Sequence, residues 1–321
     1  MWKKILVAIS RTNTAAQPAL ERALALADKE RTELELLQVL YDANLAGYSL
    51  LPREEDYFDV RDMLVQRESA GLEGMAETLR GRGYAVHSTV VWDYPIYQGI
   101  VRRAVAIEAD LVVSEPLRGA KSRGLGSADW PLIAGCPTSL LIAKPTGTAD
   151  YRHVAAAIDP FHAHDKPAAL DEVILTRAAE VARAFEAGLS ALYCVAPLTK
   201  IVAGASFNRL AFPEAEVELR ETNNAVVDLL RKNGIFPQAA HVLRGAPSEM
   251  LPRFVADESV DLLVMGALSR GRSAELVIGT TAADVLDSVE CDLLVVKPPG
   301  FFGSVAARLQ SAPLTARVHP I

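Results

Sequence analysis

Short apolar runs alternate with longer segments of helical period along the chain. In the first half these runs, of which the second and third also contain polar residues, lie at residues 5–9, 34–40, 86–91, 111–113 and 140–143. Such runs, without a strict polar alternation, are typical of strands that are covered on both faces. Between runs, apolar residues recur at the i, i+3, i+4, i+7 spacing of an amphipathic helix, as from Leu20 to Ala27 and from Ala282 to Val289. The pattern predicts a βαβαβαβ chain and a parallel sheet.

The same pattern occurs twice. Residues 110–114 (DLVVS) recur at 261–265 (DLLVM), a separation of 151 residues, and residues 140–145 (LLIAKP) recur at 293–298 (LLVVKP), a separation of 153. A period this long is too large for a solenoid or a propeller blade, so the chain is predicted to be a duplication of one globular domain. The predicted domains cover residues 1–147 and 150–300.

The ends of the two halves carry two further expectations. Both halves close with an apolar strand of nearly the same sequence, and pairing these strands with each other would hide two aggregation-prone edges. We therefore expect an intra-chain pseudo-dimer with a pseudo-twofold axis, and a homodimer of chains is an open alternative. Residues 301–321 repeat nothing in the first half and are expected to be a weakly ordered tail.

Composition narrows the class of protein. Half of the residues are hydrophobic, yet no apolar run reaches the roughly 18–20 residues of a membrane span. The first residues lack the pattern of a signal peptide, so a cytoplasmic protein is expected. Cys136, Cys194 and Cys291 are odd in number and widely spaced, which favours reduced thiols. A net charge of −7 without a basic cluster argues against nucleic-acid binding.

The segment at 265–286 is the most informative one for function. A strand runs into small residues, the chain passes two arginines, and a helix begins at Gly279-Thr280-Thr281. The free amide groups of a helix N-terminus form a cradle for an anion. Because open parallel sheets bind ligands beyond the carboxyl ends of their strands, the site is expected after Ile158, Val195 and Met265.

At these residues the chain resembles the universal stress protein family. The nucleotide-binding signature of that family has a glycine, two residues, a second glycine, nine residues, and then a glycine followed by Ser or Thr. Gly266, Gly279 and Thr280 match its first, third and fourth fixed positions. The resemblance covers roughly residues 1–300 and is strongest to tandem E-type members. It implies two tandem α/β domains with open parallel sheets, Rossmann-like and adenine nucleotide alpha hydrolase-like, and a role in stress response through protein contacts.

The resemblance also implies a ligand, typically ATP with or without Mg²⁺, and assigns residues to it. Asp159 would contact the adenine side, Val195 would lie beside it, and the glycine–serine stretch would hold the phosphates. The candidate site is Asp159, Val195, Gly266, Ser269, Arg270, Gly279, Thr280 and Thr281. Ser269 replaces the second glycine, and a left-handed conformation there would cost about 1–2 kcal/mol and weaken binding. In the alternative interpretation the glycines only permit tight turns and Asp159 caps a helix.

The first half lacks most of these residues. Ser10 stands in place of the aspartate, Glu115 in place of the leading glycine, and the connection to Gly126-Ser127 is two residues shorter. A carboxylate at Glu115 would repel phosphate. We therefore expect at most one nucleotide site per chain, in the second half.

No catalytic constellation is recognised. The chain has no nucleophile elbow, no phosphate loop with lysine and no dinucleotide fingerprint. His162 and His164 lack the further ligands of a zinc site, so no metal site is expected. Three functions stay open: a nucleotide-binding stress regulator, a scaffold that needs no nucleotide or takes a more apolar ligand, and a slow magnesium-dependent ATPase.

Overall fold

The structure is a computed structural model, and it describes residues 2–12, 16–46, 54–117, 125–161, 169–195, 213–270 and 276–311. The chain divides into two compact units. Unit 1 contains residues 1–145 together with 299–321, and unit 2 contains residues 146–298.

Unit 1 alternates strands and helices as the hydrophobic pattern predicts. Its elements before the second unit are β1 (Lys4–Ala8), α1 (Pro18–Leu26), β2 (Glu33–Leu40), α2 (Ala43–Ala46), α3 (Glu54–Gly81), β3 (Ala85–Trp92), α4 (Ile96–Ala106), β4 (Leu111–Ser114), α5 (Asp129–Gly135) and β5 (Ser139–Ile142).

Unit 2 repeats this order and adds a hairpin before its last helix. Its elements are β6 (His153–Ala157), α6 (Leu170–Ala184), β7 (Gly188–Val195), α7 (Pro213–Lys232), β8 (Ala240–Arg244), α8 (Pro247–Asp257), β9 (Leu262–Gly266), β10 (Leu268–Arg270), β11 (Leu276–Ile278), α9 (Thr280–Ser288) and β12 (Asp292–Val296).

The five strands of the main sheet in each unit pair in parallel, so the α/β fold class is confirmed. The order is β3-β2-β1-β4-β5 in unit 1 and β8-β7-β6-β9-β12 in unit 2. Every residue of β4, β5, β9 and β12 is buried, as expected for strands with helices over both faces. The pseudo-twofold relation between the halves stays a prediction.

The aspartate that opens the repeated motif has a structural role in both units. The carboxylate of Asp110 accepts hydrogen bonds from the backbone N–H groups of Lys3 and Lys4, at 2.8 and 3.1 Å. The carboxylate of Asp261 accepts from Arg152 and His153 in the same way, at 2.7 and 2.9 Å. These bonds satisfy amide groups at the start of the first strand of each unit. The repeat at this position therefore reflects folding and not ligand binding.

A glycine in the left-handed conformation follows the long helix of each unit. Gly83 follows α3 with φ at +89°, and Gly234 follows α7 with φ at +70°. A residue without Cβ adopts this left-handed conformation at little cost, which allows the helix to stop and the chain to turn toward the next strand.

The C-terminal segment forms a helix, α10 (Phe301–Ser311). Phe301 and Val305, one helical turn apart, are buried, and α10 packs against α4 of unit 1. We expected a weakly ordered tail over 301–321, and the structure differs because this apolar stripe has a partner helix. Residues 312–321 lie outside the described part of the chain.

A chain of polar side chains crosses the amino-terminal side of the unit 2 sheet. His153 Nε2 lies 2.9 Å from Ser190 Oγ, which lies 3.3 Å from His241 Nε2. His153 Nδ1 lies 3.0 Å from the carbonyl oxygen of Glu258. Since a carbonyl only accepts, Nδ1 donates, and in neutral His153 Nε2 accepts the Ser190 hydroxyl. Both rings also meet the edge of Phe254.

The protonation of His241 is expected to lower the stability of unit 2 in acid. Burial lowers the pKa of His241, the neighbouring His153 lowers it further, and Glu258 raises it in part. The unfolded chain, with a histidine pKa near about 6.5, therefore binds the proton more readily than the folded protein. Stability is full above that pH and is lost as the pH falls below it toward the folded pKa.

The free energy of unfolding is measured at pH 7.5 and at pH 5.5, with unfolding monitored by far-UV circular dichroism. The decrease on acidification should be smaller in His241→Gln than in the wild type. His87→Gln, which removes an exposed histidine beside Glu33, serves as the comparison variant for the loss of a surface histidine. Identical pH dependence in all three proteins would contradict the assignment.

None of the described helices is both long and apolar enough to cross a membrane.

Candidate functional site

The strand order of unit 2 reverses beside β6, which is where an open parallel sheet is expected to form a crevice. The chain runs outward from β6 through β7 to β8 and then returns to the other side of β6 for β9 and β12. This reversal is the topological switch point at which open parallel sheets bind ligands. The register pairs Ala157 with Met265, so Asp159 and Ala267 follow two neighbouring strands at the same edge.

Asp159 is a buried acidic residue at this edge. It is only 5 % exposed, and neither carboxylate oxygen has a hydrogen-bond partner among the described residues. Its backbone N–H donates to Asp171 Oδ1 at 3.1 Å. A buried polar group without a partner is costly, and most such groups in proteins are satisfied. The carboxylate therefore indicates a donor that the described residues do not supply.

The alternative role of Asp159 as a helix cap is not observed among those residues. The helix that follows, α6, has Ala169 at its N-cap and no side-chain cap. Asp171 lies in the first turn of α6 and is buried. Sequence reasoning missed Asp171, although an acidic residue at a helix start is a recognisable signal.

Val195 is the last residue of β7, the strand beside β6. Its side chain is half-buried, and its carbonyl oxygen accepts the N–H of Gly245 at 2.9 Å. The ladder between β6 and β7 continues past Ala157, because Ile158 N–H still donates to Leu192 O at 3.0 Å. Val195 therefore lies on the strand flanking Asp159.

Burial raises the pKa of the adjacent Cys194 to about 12, which makes this thiol a poor nucleophile.

The predicted loop after β9 contains an antiparallel hairpin. Ser269 pairs with Val277 and Arg270 pairs with Leu276 across β10 and β11. Ser269 is therefore extended, and the left-handed strain considered for this position does not arise. The side chains of Ser269 and Arg270 lie outside the described part of the structure.

The hairpin leads directly into α9. Gly279 N–H donates to Ala267 O at 3.2 Å, so the start of α9 is held at the strand end that lies beside Asp159. Gly279 is the N-cap residue, in extended conformation, and no side chain caps this helix. Thr280 is exposed and Thr281 is half-buried. The first-turn amides of α9 thus offer the partial positive charge of a helix N-terminus.

Gly266 has a packing role. A Cβ built on it would lie 2.5 Å from Leu170 Cδ2, and Leu170 is fully buried at the start of α6. The glycine thus allows β9 and α6 to approach closely, which agrees with the structural interpretation of this one position. Its backbone still lies at the crevice.

Unit 1 has different chemistry at the corresponding edge. Ser10 is exposed. Glu115 accepts a hydrogen bond from the backbone of Ala19, and burial raises the pKa of its carboxyl despite that bond and the nearby Arg22. Ala19 is the second residue of α1, so Glu115 satisfies a helix-start amide from within the chain.

A second carboxylate of unit 1, Asp129, was missed by the sequence analysis. Its Oδ1 accepts the N–H of Leu117 at 2.7 Å, and its Oδ2 accepts the N–H of Gly126 at 2.6 Å. Asp129 is 2 % exposed. The signal that could have found it is the acidic residue that follows Gly126-Ser127, where the repeat has Ala282.

The structure thus brings Asp159, Gly266 and Gly279 to one crevice, with Thr280 and Thr281 at the helix start and Val195 on the flanking strand. His162 and His164 lie outside the described residues.

Two open parallel sheets of order 3-2-1-4-5, one with an uncapped helix at its switch point, define a tandem α/β protein of Rossmann-like type. The sequence profile described as Universal stress protein family matches residues 1–144 and 150–297. The chain belongs to this family and contains two of its domains, which confirms the resemblance.

Comparisons with individual proteins agree with this membership. Universal stress protein E of Escherichia coli strain K12 is 25% identical over 309 residues, covering 93% of this chain and 95% of that protein. The crystal structure of a functionally unknown protein from Pseudomonas aeruginosa PAO1 has a TM-score of 0.73 at 22% identity, over 96% of this chain and 97% of that one. A universal stress protein from Archaeoglobus fulgidus has a TM-score of 0.61 at 16% identity, over 92% and 98%. These structures support the fold.

Proposed function

We propose that unit 2 binds an adenine nucleotide, with ATP as the first candidate, and that the chain acts in a cytoplasmic stress response through nucleotide-dependent protein contacts. The observation that carries the proposal is the buried Asp159 carboxylate, which has no partner among the described residues and lies at the switch point of the sheet. Family membership supports it.

The chemistry of the crevice matches the two ends of a nucleotide. A carboxylate only accepts hydrogen bonds, and the adenine amino group and the ribose hydroxyls are donors. Phosphate oxygens only accept, and the amide groups of Thr280 and Thr281 are donors at the positive end of α9, while the Gly279 amide donates to Ala267 O. Asp159 therefore faces the nucleoside in this proposal and the start of α9 holds the phosphates, with Val195 beside the base. Mg²⁺ would arrive with the phosphates.

The scaffold alternative is favoured by one observation. Gly266 is explained by its packing against Leu170, so this glycine would be required even in a protein that binds nothing. The described residues offer no such structural explanation for Asp159, which is why we prefer the binding function. Slow hydrolysis is a further outcome that phosphate release would reveal.

We expect calorimetric titration of the full chain with ATP to give about one site per chain. Among the described residues, only the crevice of unit 2 combines a buried carboxylate without a partner with an uncapped helix start. Gly279→Asp should weaken binding at least about tenfold, because the new carboxylate repels phosphate. The variant should fold normally, since Asp is a favoured N-cap in the extended conformation that Gly279 already has.

Ser10→Ala in unit 1 is the matched control and should bind ATP as the wild type does, because Ser10 is exposed. Two equivalent sites, or binding that survives Gly279→Asp and is lost in Ser10→Ala, would contradict the assignment to unit 2. No response to ATP, ADP or AMP at millimolar concentration would favour the scaffold.

A further inference from the structure

The two units differ in the groups that accept hydrogen bonds from backbone amides at this edge of the sheet. In unit 1 the N–H groups of Leu117 and Gly126, one after β4 and one before α5, both donate to the carboxylate of Asp129, at 2.7 and 2.6 Å. Hydrogen bonds to a charged acceptor are short and strong, and backbone amides bind phosphate oxygens in the same way. Asp129 is thus an anion supplied by the chain itself.

The matched helix ends identify the equivalent residue of unit 2. Cys136 N–H donates to Leu132 O at the end of α5, and Val289 N–H donates to Val285 O at the end of α9. Both pairs differ by 153 positions, and the same offset takes Asp129 to Ala282. Ala282 has no polar side-chain atom, so this position of unit 2 supplies no anion.

A second observation points to an external ligand in unit 2 and not in unit 1. Asp159, at the crevice beside α9, is buried with no partner for either oxygen among the described residues. Its counterpart Ser10 is exposed and carries no charge.

We propose that Asp129 is a resident anion that occupies the phosphate position of unit 1, and that alanine at 282 is what leaves the corresponding position of unit 2 open to a nucleotide phosphate. The pair Asp129 and Ala282 is therefore a specificity determinant that restricts binding to one unit. The part of this inference that concerns unit 2 rests on the proposed function.

Ala282→Asp transfers the resident anion to unit 2. ATP affinity should fall at least about tenfold, because the new carboxylate repels phosphate at the start of α9. Ala282→Asn introduces a side chain with nearly the same shape as aspartate but without its charge. This variant should keep the ATP affinity within about threefold of the wild-type value. An acidic residue in the first turn suits the helix dipole, so α9 is expected to stay folded. Equal affinity of Ala282→Asp and wild type, or equal loss in both variants, would overturn the proposal.

The unit 1 half is tested without nucleotide. Asp129→Ala leaves the amides of Leu117 and Gly126 without their acceptor. Inorganic phosphate should bind there and accept the hydrogen bonds that the carboxylate accepted. The tryptophans Trp2, Trp92 and Trp130 all belong to unit 1, and Trp130 follows Asp129 directly, so tryptophan fluorescence reports on this unit.

The unfolding midpoint of Asp129→Ala should rise with phosphate, relative to chloride at equal ionic strength, by more than that of the wild type. An equal phosphate response would overturn the resident-anion role. If Asp129→Ala does not fold, Asp129→Asn takes its place in the same comparison. If wild-type protein binds no ATP, the proposed function fails while a phosphate response in the Asp129 variants still supports the resident anion.

Discussion

Replacing Asp159 by alanine is expected to stabilise the nucleotide-free protein and at the same time to weaken its ATP binding. The wild-type carboxylate is buried without a partner among the described residues. An unsatisfied buried group costs about 1–3 kcal/mol, and more when charged, so its removal should raise the free energy of unfolding by that order. A hydrogen bond between a ligand and a charged group contributes about 1.5–3 kcal/mol, so affinity should fall roughly 10- to 150-fold.

The control is Asp257→Ala, which removes an exposed carboxylate paired with Arg253 at 3.3 Å. Exposed pairs contribute little, so both stability and affinity should stay near the wild-type values. Chemical denaturation without nucleotide and calorimetric titration with ATP give the two readouts. If Asp159→Ala destabilises the free protein and leaves binding intact, Asp159 is a structural residue and not a ligand contact.

Replacing Phe301 by alanine is expected to destabilise unit 1, although Phe301 lies at the far end of the chain. The side chain is 4 % exposed in the helix that packs against α4. Truncation of a buried phenylalanine costs about 3–5 kcal/mol, from lost burial and the cavity left behind. The midpoint of denaturation followed by tryptophan fluorescence should fall, because all three tryptophans belong to unit 1.

Phe302 provides a matched control, since it is the next residue of α10 and only half-buried. Phe302→Ala should shift the midpoint by clearly less, because less apolar area returns to water. A Phe302→Ala shift larger than that of Phe301→Ala, or no shift in either, would show that α10 does not stabilise unit 1.

The architecture of each unit could be predicted because it depends on local patterns and on repetition. The apolar runs at 111–113 and 293–296 became fully buried strands, and the helix stops at Gly83 and Gly234 have the left-handed φ that glycine permits. Each signal involves only residues near in sequence, so it survives without knowledge of the fold. The family signature likewise depends on spacing along the chain.

Several features of the site could not be predicted in this way. Ser269 was considered a strained loop residue, but it pairs with Val277 in a hairpin. Gly266 was read as a ligand or turn glycine, and the structure shows its contact with Leu170, a residue 96 positions earlier. The Ser269 pairing depends on how the segment after β9 folds back on itself, and the Gly266 contact depends on which distant segment lies alongside. The pattern of a single sequence does not fix either of them.

The C-terminal segment is a further case. Its apolar residues Phe301 and Val305 have the helical spacing of four, but an amphipathic stripe forms a stable helix only where another surface buries it. The surface is α4, about 200 residues away along the chain.

The sequence by itself determined the duplication, the α/β class, the family and the positions of the strand ends where we propose that a ligand binds, because these follow from periodicity, burial and spacing along the chain. Only the tertiary structure decided that Asp159 is buried without a partner among the described residues, and that Asp129 supplies its own carboxylate to the amides of Leu117 and Gly126. The physical reason is that hydrogen-bond satisfaction depends on distances between groups from different elements. Those distances exist only after folding, and in this chain they separate the unit that we propose binds a nucleotide from the unit that satisfies its own amides.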